Sequence, residues 1–241
     1  MKELTRLNIW SGPRNISTAM MYSFAQRQDT TVYDEPLFAH YLHKTDADKY
    51  HPYAAETLAS QSSDYQDVLN NVMLAECNTP VAFFKQMTHH LVHMPWDFLA
   101  QMTNVILIRD PIDMLPSYAR QIASPTMQDV GYVDNVQLLE YLKSIGQNPC
   151  VLDSRRVLLD PEYALSKLCM HIGIPFDPTM LSWEAGARAE DGAWAPAWYD
   201  SVHQSTGFSA YRPKTAPFPD SLKPLLEECQ PLYQQLLELA I

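Results

Sequence analysis

The stretch Ser11-Gly12-Pro13-Arg14-Asn15-Ile16-Ser17-Thr18 lies between an apolar run, LNIW, and a helical one, AMMYSFAQR. Residues of this kind can hold an anion. A loop that leaves a strand and enters a helix aims its free amides, and the positive end of the helix dipole, at one place. Arg14 adds a fixed charge and a fork of donors. Ser17 and Thr18 add hydroxyl groups at the first turn. A plainer use of the same residues is that Ser17 merely caps the helix. A second candidate pair lies in NVILIRDPIDMLPSY, where an apolar strand ends at Arg109 and Ser117 follows eight residues later. At 3.6 residues per turn that is about two turns into the next helix. An arginine at the strand end and a hydroxyl on the helix suit one phosphate held from two sides. The competing use of Arg109 is an ion pair with a helix carboxylate such as Asp113.

The first loop is not a Walker A sequence, which needs G-x-x-x-x-G-K-[ST]. Asn15-Ile16 stands where Gly-Lys would be, so the lysine that reaches the β- and γ-phosphates of ATP is missing. This weighs against a nucleotide triphosphatase or kinase.

Placing these residues requires an α/β framework. Short β-rich runs are expected at Leu4–Trp10, Thr31–Asp34, Val81–Met87, Asn104–Ile108 and Cys150–Asp153. VILI within the fourth is nearly unbroken apolar, as in a parallel strand covered on both faces. Helical runs fall between them at Ser17–Arg27, Asp64–Glu76, His90–Met102, Pro111–Ile122, Asp134–Ile145 and Pro161–Ile172. In the fourth, Asp110 is an N-cap, Pro111 suits the first turn, and Asp113 can reach back as in a capping box. The alternation predicts an α/β fold, a mainly parallel sheet with helices on both faces. Such sheets bind ligands at the carboxyl ends of their strands. The whole chain, residues 1–241, is expected to form one domain. Residues 183–219 break the rhythm and, with Trp183, Trp194, Trp198 and Phe208, read as an ordered lid on the acceptor side. The tail 219–241 reads as helix broken by Pro224 and Pro231.

Hydrophobic residues at 46% and charged residues at 19% are enough to build a core and too apolar for a disordered chain. Acids outnumber bases by 28 to 17, a net charge of −11, which argues against nucleic-acid partners and against attraction to anionic membranes. No apolar run approaches 18 residues. The N-terminus lacks the apolar block of a signal peptide, so a cytoplasmic location is expected. The four cysteines form no C-x-x-C pair, so no zinc ribbon or redox motif is expected.

Together the segments resemble the family of sulfotransferases that use 3′-phosphoadenosine 5′-phosphosulfate (PAPS). Gly12-Pro13-Arg14-Asn15-Ile16-Ser17-Thr18 is similar to the family's 5′-phosphosulfate loop, with Asn15-Ile16 in place of the usual Ser-Gly. Arg109 and Ser117 match its 3′-phosphate pair in type and spacing. Asp160-Pro161-Glu162 and Gly173-Ile174-Pro175-Phe176 fit a third family segment. The resemblance covers about residues 5–177. It implies a three-layer sandwich like that of the P-loop nucleotide hydrolases, and PAPS as donor to a hydroxyl or amine of a small acceptor.

The resemblance also implies candidate catalytic residues. Arg14 would stabilise the leaving phosphate oxygen, as sulfuryl transfer depends on positioning and charge stabilisation. Arginine and amides make a metal unnecessary. Lys85, like Arg14 and Arg109, falls at an expected strand end, where a local basic cluster can hold an anionic donor that the chain as a whole repels. The acceptor needs a base. Glu35 follows the second strand in VYDEP; the other candidates are His89 and His90 in FFKQMTHHL. Each also has a structural use, Glu35 as a cap or ion pair and the histidines as hydrogen-bonded helix-start residues. His89 and His93, four residues apart, are a weak zinc pattern without the glutamate of H-E-x-x-H. Arg212 or Lys214, in a late basic loop, is a further candidate for the 3′-phosphate. Specificity is expected in residues 40–65 and 183–215. Two other readings stay open: a P-loop kinase or nucleotide hydrolase, and a non-catalytic nucleotide-binding protein on the same fold. Homo-oligomerisation is left open too.

Overall fold

The apolar runs become five strands of one sheet: β1 (Thr5–Ser11), β2 (Thr30–Asp34), β3 (Val81–Met87), β4 (Thr103–Ile108) and β5 (Cys150–Asp153). The structure, a computed structural model, describes residues 4–241, so residues 1–3 of the expected 1–241 domain lie outside the described residues. The strand order is β2-β3-β1-β4-β5 and every neighbouring pair is parallel. Side chains alternate between two apolar layers, because successive residues of a strand face opposite ways. Leu7, Ile9, Val105 and Leu107 belong to one buried cluster, and Trp10, Phe84, Ile106 and Ile108 to the other. Each such side chain, fully buried, contributes about 1.5–3 kcal/mol.

The connections supply the helices α1 (Ser17–Phe24), α2 (Phe38–Lys44), α3 (Ala54–Ser60), α4 (Tyr65–Val68), α5 (Pro111–Tyr118), α6 (Met127–Val130), α7 (Tyr132–Ser144), α8 (Ser154–Leu159), α9 (Pro161–Ile172), α10 (Ala195–Trp198), α11 (Asp200–His203) and α12 (Lys223–Leu237). Residues of α1 and α9 join one apolar layer, and those of α5, α7 and α12 join the other, so both faces are covered. The register brings the strand ends to one edge. Ser11 lies opposite Met87 and Leu107, Asp34 opposite Lys85, and Ile108 opposite Asp153. The loops after β1, β2, β3 and β4 therefore open on one region, as a parallel sheet requires.

Several expected elements are corrected. No helix spans His90–Met102: the segment is two 3₁₀ turns, Thr88–His90 and Asp97–Gln101. His93 between them has φ 51°, and Pro95 follows it. Proline removes a helix hydrogen bond and disfavours helical backbone at the residue before it. The four-residue spacing of His89 and His93 thus loses its meaning, since His89 is buried and His93 exposed. Helix α5 stops at Tyr118 rather than at Ile122, two residues past its internal Pro116. Asp110 alone caps it, accepting from the Ile112 amide at 3.0 Å, while Asp113 accepts from the Tyr211 hydroxyl instead. The expected helix Asp64–Glu76 is α4 followed by a π-type turn, Leu69–Met73. The tail is one helix, not a broken one: Pro224 sits in its first turn, where no amide is needed, and Pro231 lies within it.

The irregular segment 183–219 is tied down. Ser182 bridges Gly207 antiparallel, and the Trp183 amide donates to the Thr206 carbonyl at 3.1 Å. Trp194, Ala195 and Tyr199 pack with Phe38, Tyr41 and Leu42 in a third buried cluster, which seats this segment on α2.

Candidate active site

The loops at the strand ends line a cavity of about 400 Å³. On its floor is the loop from β1 to α1. Helix α1 starts without a side-chain cap: its N-cap residue is Ile16, and Ser17 is the first helical residue, not the cap. The Ser17 amide is taken by the Asn15 carbonyl at 2.7 Å, but the amides after it have no acceptor within the first turn and remain available to a ligand. Pro13, Arg14, Asn15, Ile16, Ser17 and Thr18 all line the cavity. Asn15, the departure from the usual loop, serves as a brace, its Nδ2 donating to the Leu107 carbonyl at the end of β4 at 2.8 Å. Gly12 lies behind the loop. A Cβ there would stand 2.5 Å from the Val130 carbonyl oxygen, a backbone atom that cannot swing aside. Gly12→Ala is therefore expected to lower stability by about 1–3 kcal/mol through overpacking. Thermal melting checks this, at about 2–4 °C per kcal/mol for a chain of this size.

Arg14 has φ 52°, a left-handed conformation that costs a non-glycine residue about 1–2 kcal/mol. Its neighbours hold it there. The Arg109 guanidinium donates to the Arg14 carbonyl at 2.7 Å. Arg14 Nε donates to Ser117 Oγ at 3.1 Å, and a second nitrogen donates to the Trp198 carbonyl at 3.0 Å. Arg120 also reaches Ser117 Oγ, at 3.3 Å. The residues expected at the two ends of a donor, Arg14 and the Arg109–Ser117 pair, therefore meet in one cluster. Among the described residues no carboxylate lies within 4.0 Å of Arg14, Arg109 or Arg120. The pairing of Arg109 with Asp113 is not made. Burial pulls both Arg14 and Arg109 below the usual arginine range, and repulsion from Arg120 and Arg109 adds to the effect at Arg14. Half-buried guanidinium groups without counter-ions, in a chain of net charge −11, form a place for an anion.

The cavity is also lined by a buried ion network. Lys85, at the end of β3, donates to Asp34 Oδ1 at 2.9 Å, to Glu35 Oε1 and to Tyr199 Oη at 2.6 Å. Adjacent residues of a strand point to opposite faces, so Asp34 and Glu35 could not both reach one ammonium from an extended chain. Glu35 leaves the strand with φ 42°, and that turn brings its carboxylate onto Lys85. Both uses foreseen for Glu35 bear on this: it forms an ion pair, and it lines the cavity, whereas it caps no helix, since α2 has no side-chain cap. Asp34 receives three donors, Lys85, the Tyr199 hydroxyl at 2.8–2.9 Å and the Gly192 amide at 2.9 Å; Glu35 receives one from a side chain, Lys85. Burial pushes Glu35 up to about 7, against the pull of Lys85 and with the help of Asp34. Burial alone would lower Lys85, but its two carboxylates outweigh that and hold the ammonium above its usual range.

His89 and His90 also line the cavity, and His90 packs against the rings of both Phe38 and Tyr41, with centroids 4.9 and 4.8 Å away. Burial pulls His89 down to about 3 and His90 well below the histidine range, and neighbouring histidines add to the shift. Both are neutral and weakly basic. The Nδ1 atoms of both are buried without a hydrogen-bond partner. His51 joins them on the wall, lowered to about 4 by burial.

Arg212 is exposed and does not line the cavity. Its neighbour Lys214 instead donates to the Asp113 carbonyl of α5, near Arg109. Sequence reasoning did not single out Asp34, Tyr199, Arg120 or His51. Asp34 sits in the same VYDEP run as Glu35, one position from a residue that was noticed. Tyr199, which joins the network from a segment without periodicity, left no such signal. Among the described residues no group of three His, Cys, Asp or Glu is arranged to hold a metal ion, and no helix is long and apolar enough to cross a membrane.

Known proteins match this fold. A solved sulfotransferase domain from the Synechococcus PCC 7002 olefin synthase superimposes with a TM-score of 0.55 at 14% identity, covering 95% of both chains. Mouse sulfotransferase SULT7A1, solved in complex with PAP, does so with a TM-score of 0.53 at 10% identity, covering 98% of this chain and 85% of that one. At such identities these likenesses concern the fold. Branched-chain-amino-acid aminotransferase-like protein 2 of Arabidopsis thaliana is 38% identical over 231 residues, 95% of this chain and 41% of that protein. The chain thus spans about two fifths of the length of that curated relative. The family model described as sulfotransferase domain matches residues 5–240, from the first residue of β1 to the end of the tail. With the strand–loop–helix of β1 and α1 on its parallel sheet and this match along nearly its whole length, the chain belongs to the sulfotransferase family.

Proposed function

We propose that the chain moves a sulfuryl group from PAPS to a hydroxyl or amine of a small acceptor. The observation that carries this reading is the cluster of Arg14, Arg109, Arg120 and Ser117, without carboxylate partners, opening on the same cavity as Glu35. In this reading the amides at the start of α1 and Arg14 take the charge that builds on the leaving 5′-phosphate oxygen. Arg109, Arg120 and Ser117 hold the 3′-phosphate. Glu35 accepts the proton of the acceptor while the acceptor atom bonds to sulfur, and the bridging oxygen departs with the bond's electron pair on adenosine 3′,5′-bisphosphate. Glu35 suits this task better than His89 or His90, because a base works best when its pKa lies near the working pH. Phe38, Trp194, Trp198 and Tyr118 wall the acceptor side. Four free thiols suit a reducing compartment, and we place the activity in the cytoplasm.

Calorimetric titration with adenosine 3′,5′-bisphosphate and with Mg·ATP tests the donor. Binding of the bisphosphate, unaffected by excess ATP, is expected; tight ATP binding without bisphosphate binding would make this a kinase or hydrolase. A panel of acceptors with PAPS, read by mass spectrometry, then tests turnover. Bisphosphate binding without transfer to any acceptor would leave a nucleotide-binding protein. The pH dependence follows from Glu35. The base must be ionised, and burial raises its pKa, so log kcat/KM is expected to rise with unit slope below about 7 and level off above it. A profile flat from pH 5 to pH 8 would exclude Glu35 as the base.

A further inference from the structure

We propose that Asp34 and Tyr199 are positioning residues that set the charge state of Glu35 through Lys85. The inference rests on the reading of Glu35 as base. Its geometry is a chain of short contacts: Tyr199 Oη lies 2.8–2.9 Å from both Asp34 oxygens and 2.6 Å from Lys85 Nζ, and Lys85 Nζ touches Glu35. Trp194 Nε1 donates to Tyr199 Oη at 3.0 Å and fixes the phenol in turn. All four charged or phenolic members are buried. One ammonium thus serves two carboxylates, and what Asp34 draws from Lys85 is lost to Glu35. Asp34 is kept from taking all of it by two further donors, the Tyr199 hydroxyl and the Gly192 amide.

Tyr199 and Gly192 both belong to the segment seated on α2. The base is therefore tuned by groups delivered from more than 150 residues away, with Tyr199 and Asp34 separated by 165. The titratable groups around Glu35 are Asp34 beside it, Lys85 on β3, His89 and His90 in the turn after β3, and Tyr199 above it. Burial holds the two histidines neutral and Tyr199 protonated, so Asp34 and Lys85 supply the charges that act on Glu35.

The two positions give opposite signs. In Asp34→Asn a repelling charge is gone and Lys85 turns wholly to Glu35, so the Glu35 pKa falls. In Tyr199→Phe the anion of Asp34 loses a donor, draws Lys85 closer and repels Glu35 more, so the pKa rises. A shift of about one unit, tenfold in the acid constant, is expected in each direction. The test is ¹³C NMR titration of the Glu35 carboxyl carbon in the chain without substrate, assigned with Glu35→Gln, alongside the acid limb of kcat/KM. Opposite shifts support the proposal. No shift in either variant, or shifts of the same sign, overturns it. Should Asp34→Asn not fold, Tyr199→Phe is read against the unsubstituted chain, and a fall or no change overturns the proposal. The NMR readout does not depend on turnover: titration shifts without transfer to any acceptor would leave the coupling in place and remove the sulfotransferase reading.

Discussion

Removing the guanidinium of Arg109 by Arg109→Ala is expected to weaken adenosine 3′,5′-bisphosphate binding by roughly 10- to 150-fold. A hydrogen bond to a charged group contributes about 1.5–3 kcal/mol, and each 1.4 kcal/mol is tenfold in affinity. Two effects add at this position. Arg109 would bond the 3′-phosphate directly, and it also holds the carbonyl of Arg14 at 2.7 Å, so the left-handed backbone of the loop loses its brace. The larger loss should sit in affinity, because among the described residues the side chain forms no ion pair and the fold loses only that hydrogen bond. Calorimetry gives the dissociation constant and a thermal melt gives the control. A constant within twofold of the unsubstituted chain would remove Arg109 from the donor site.

Glu35→Gln should reduce kcat by about 10²–10⁴, the usual contribution of a general base. The amide keeps the size of the side chain, and Lys85 keeps Asp34 as its counter-ion at 2.9 Å, so the chain should fold. Bisphosphate affinity should stay within about twofold, because the Glu35 carboxylate bonds Lys85 and no hydrogen bond joins it to the arginine cluster; transition-state loss without binding loss marks a group that acts in the chemical step. His90→Ala separates the candidates. A neutral imidazole stacked on Phe38 and Tyr41 supports packing, so its loss should raise the acceptor KM more than it lowers kcat. Equal kcat losses in the two variants would return the choice of base to His90.

Much of this architecture can be read from residue patterns. All five strands lie within a residue or so of their expected ends, because a buried parallel strand is an apolar run that solvent cannot interrupt. The loop from β1 to α1 was readable as a strand–loop–helix because it is contiguous, and Ser117's place on the helix after Arg109 because helical spacing relates them. Helix ends were less readable, as at Tyr118, where α5 ends although its pattern runs on to Ile122. The segment His90–Met102 has the composition of a helix, but Pro95 and the left-handed His93 turn it into two short coils. The network around Lys85 was the least accessible. Its contacts join residues 51, 50 and 114 positions apart, and no local pattern carries such a contact. The merging of the two expected anion sites through Arg14 and Ser117, 103 residues apart, was hidden for the same reason.

Trp198 gives the chain a built-in optical reporter. Its carbonyl accepts from Arg14 and its indole lies 5.9 Å from that guanidinium, whereas Trp10 and Trp194 are shut away from solvent. Indole fluorescence responds to nearby charge and hydration, so an anion seated on Arg14 alters the emission of Trp198 within the summed signal of the chain's five tryptophans. Occupancy can then be followed from the protein's own light, without a label and before any acceptor is known.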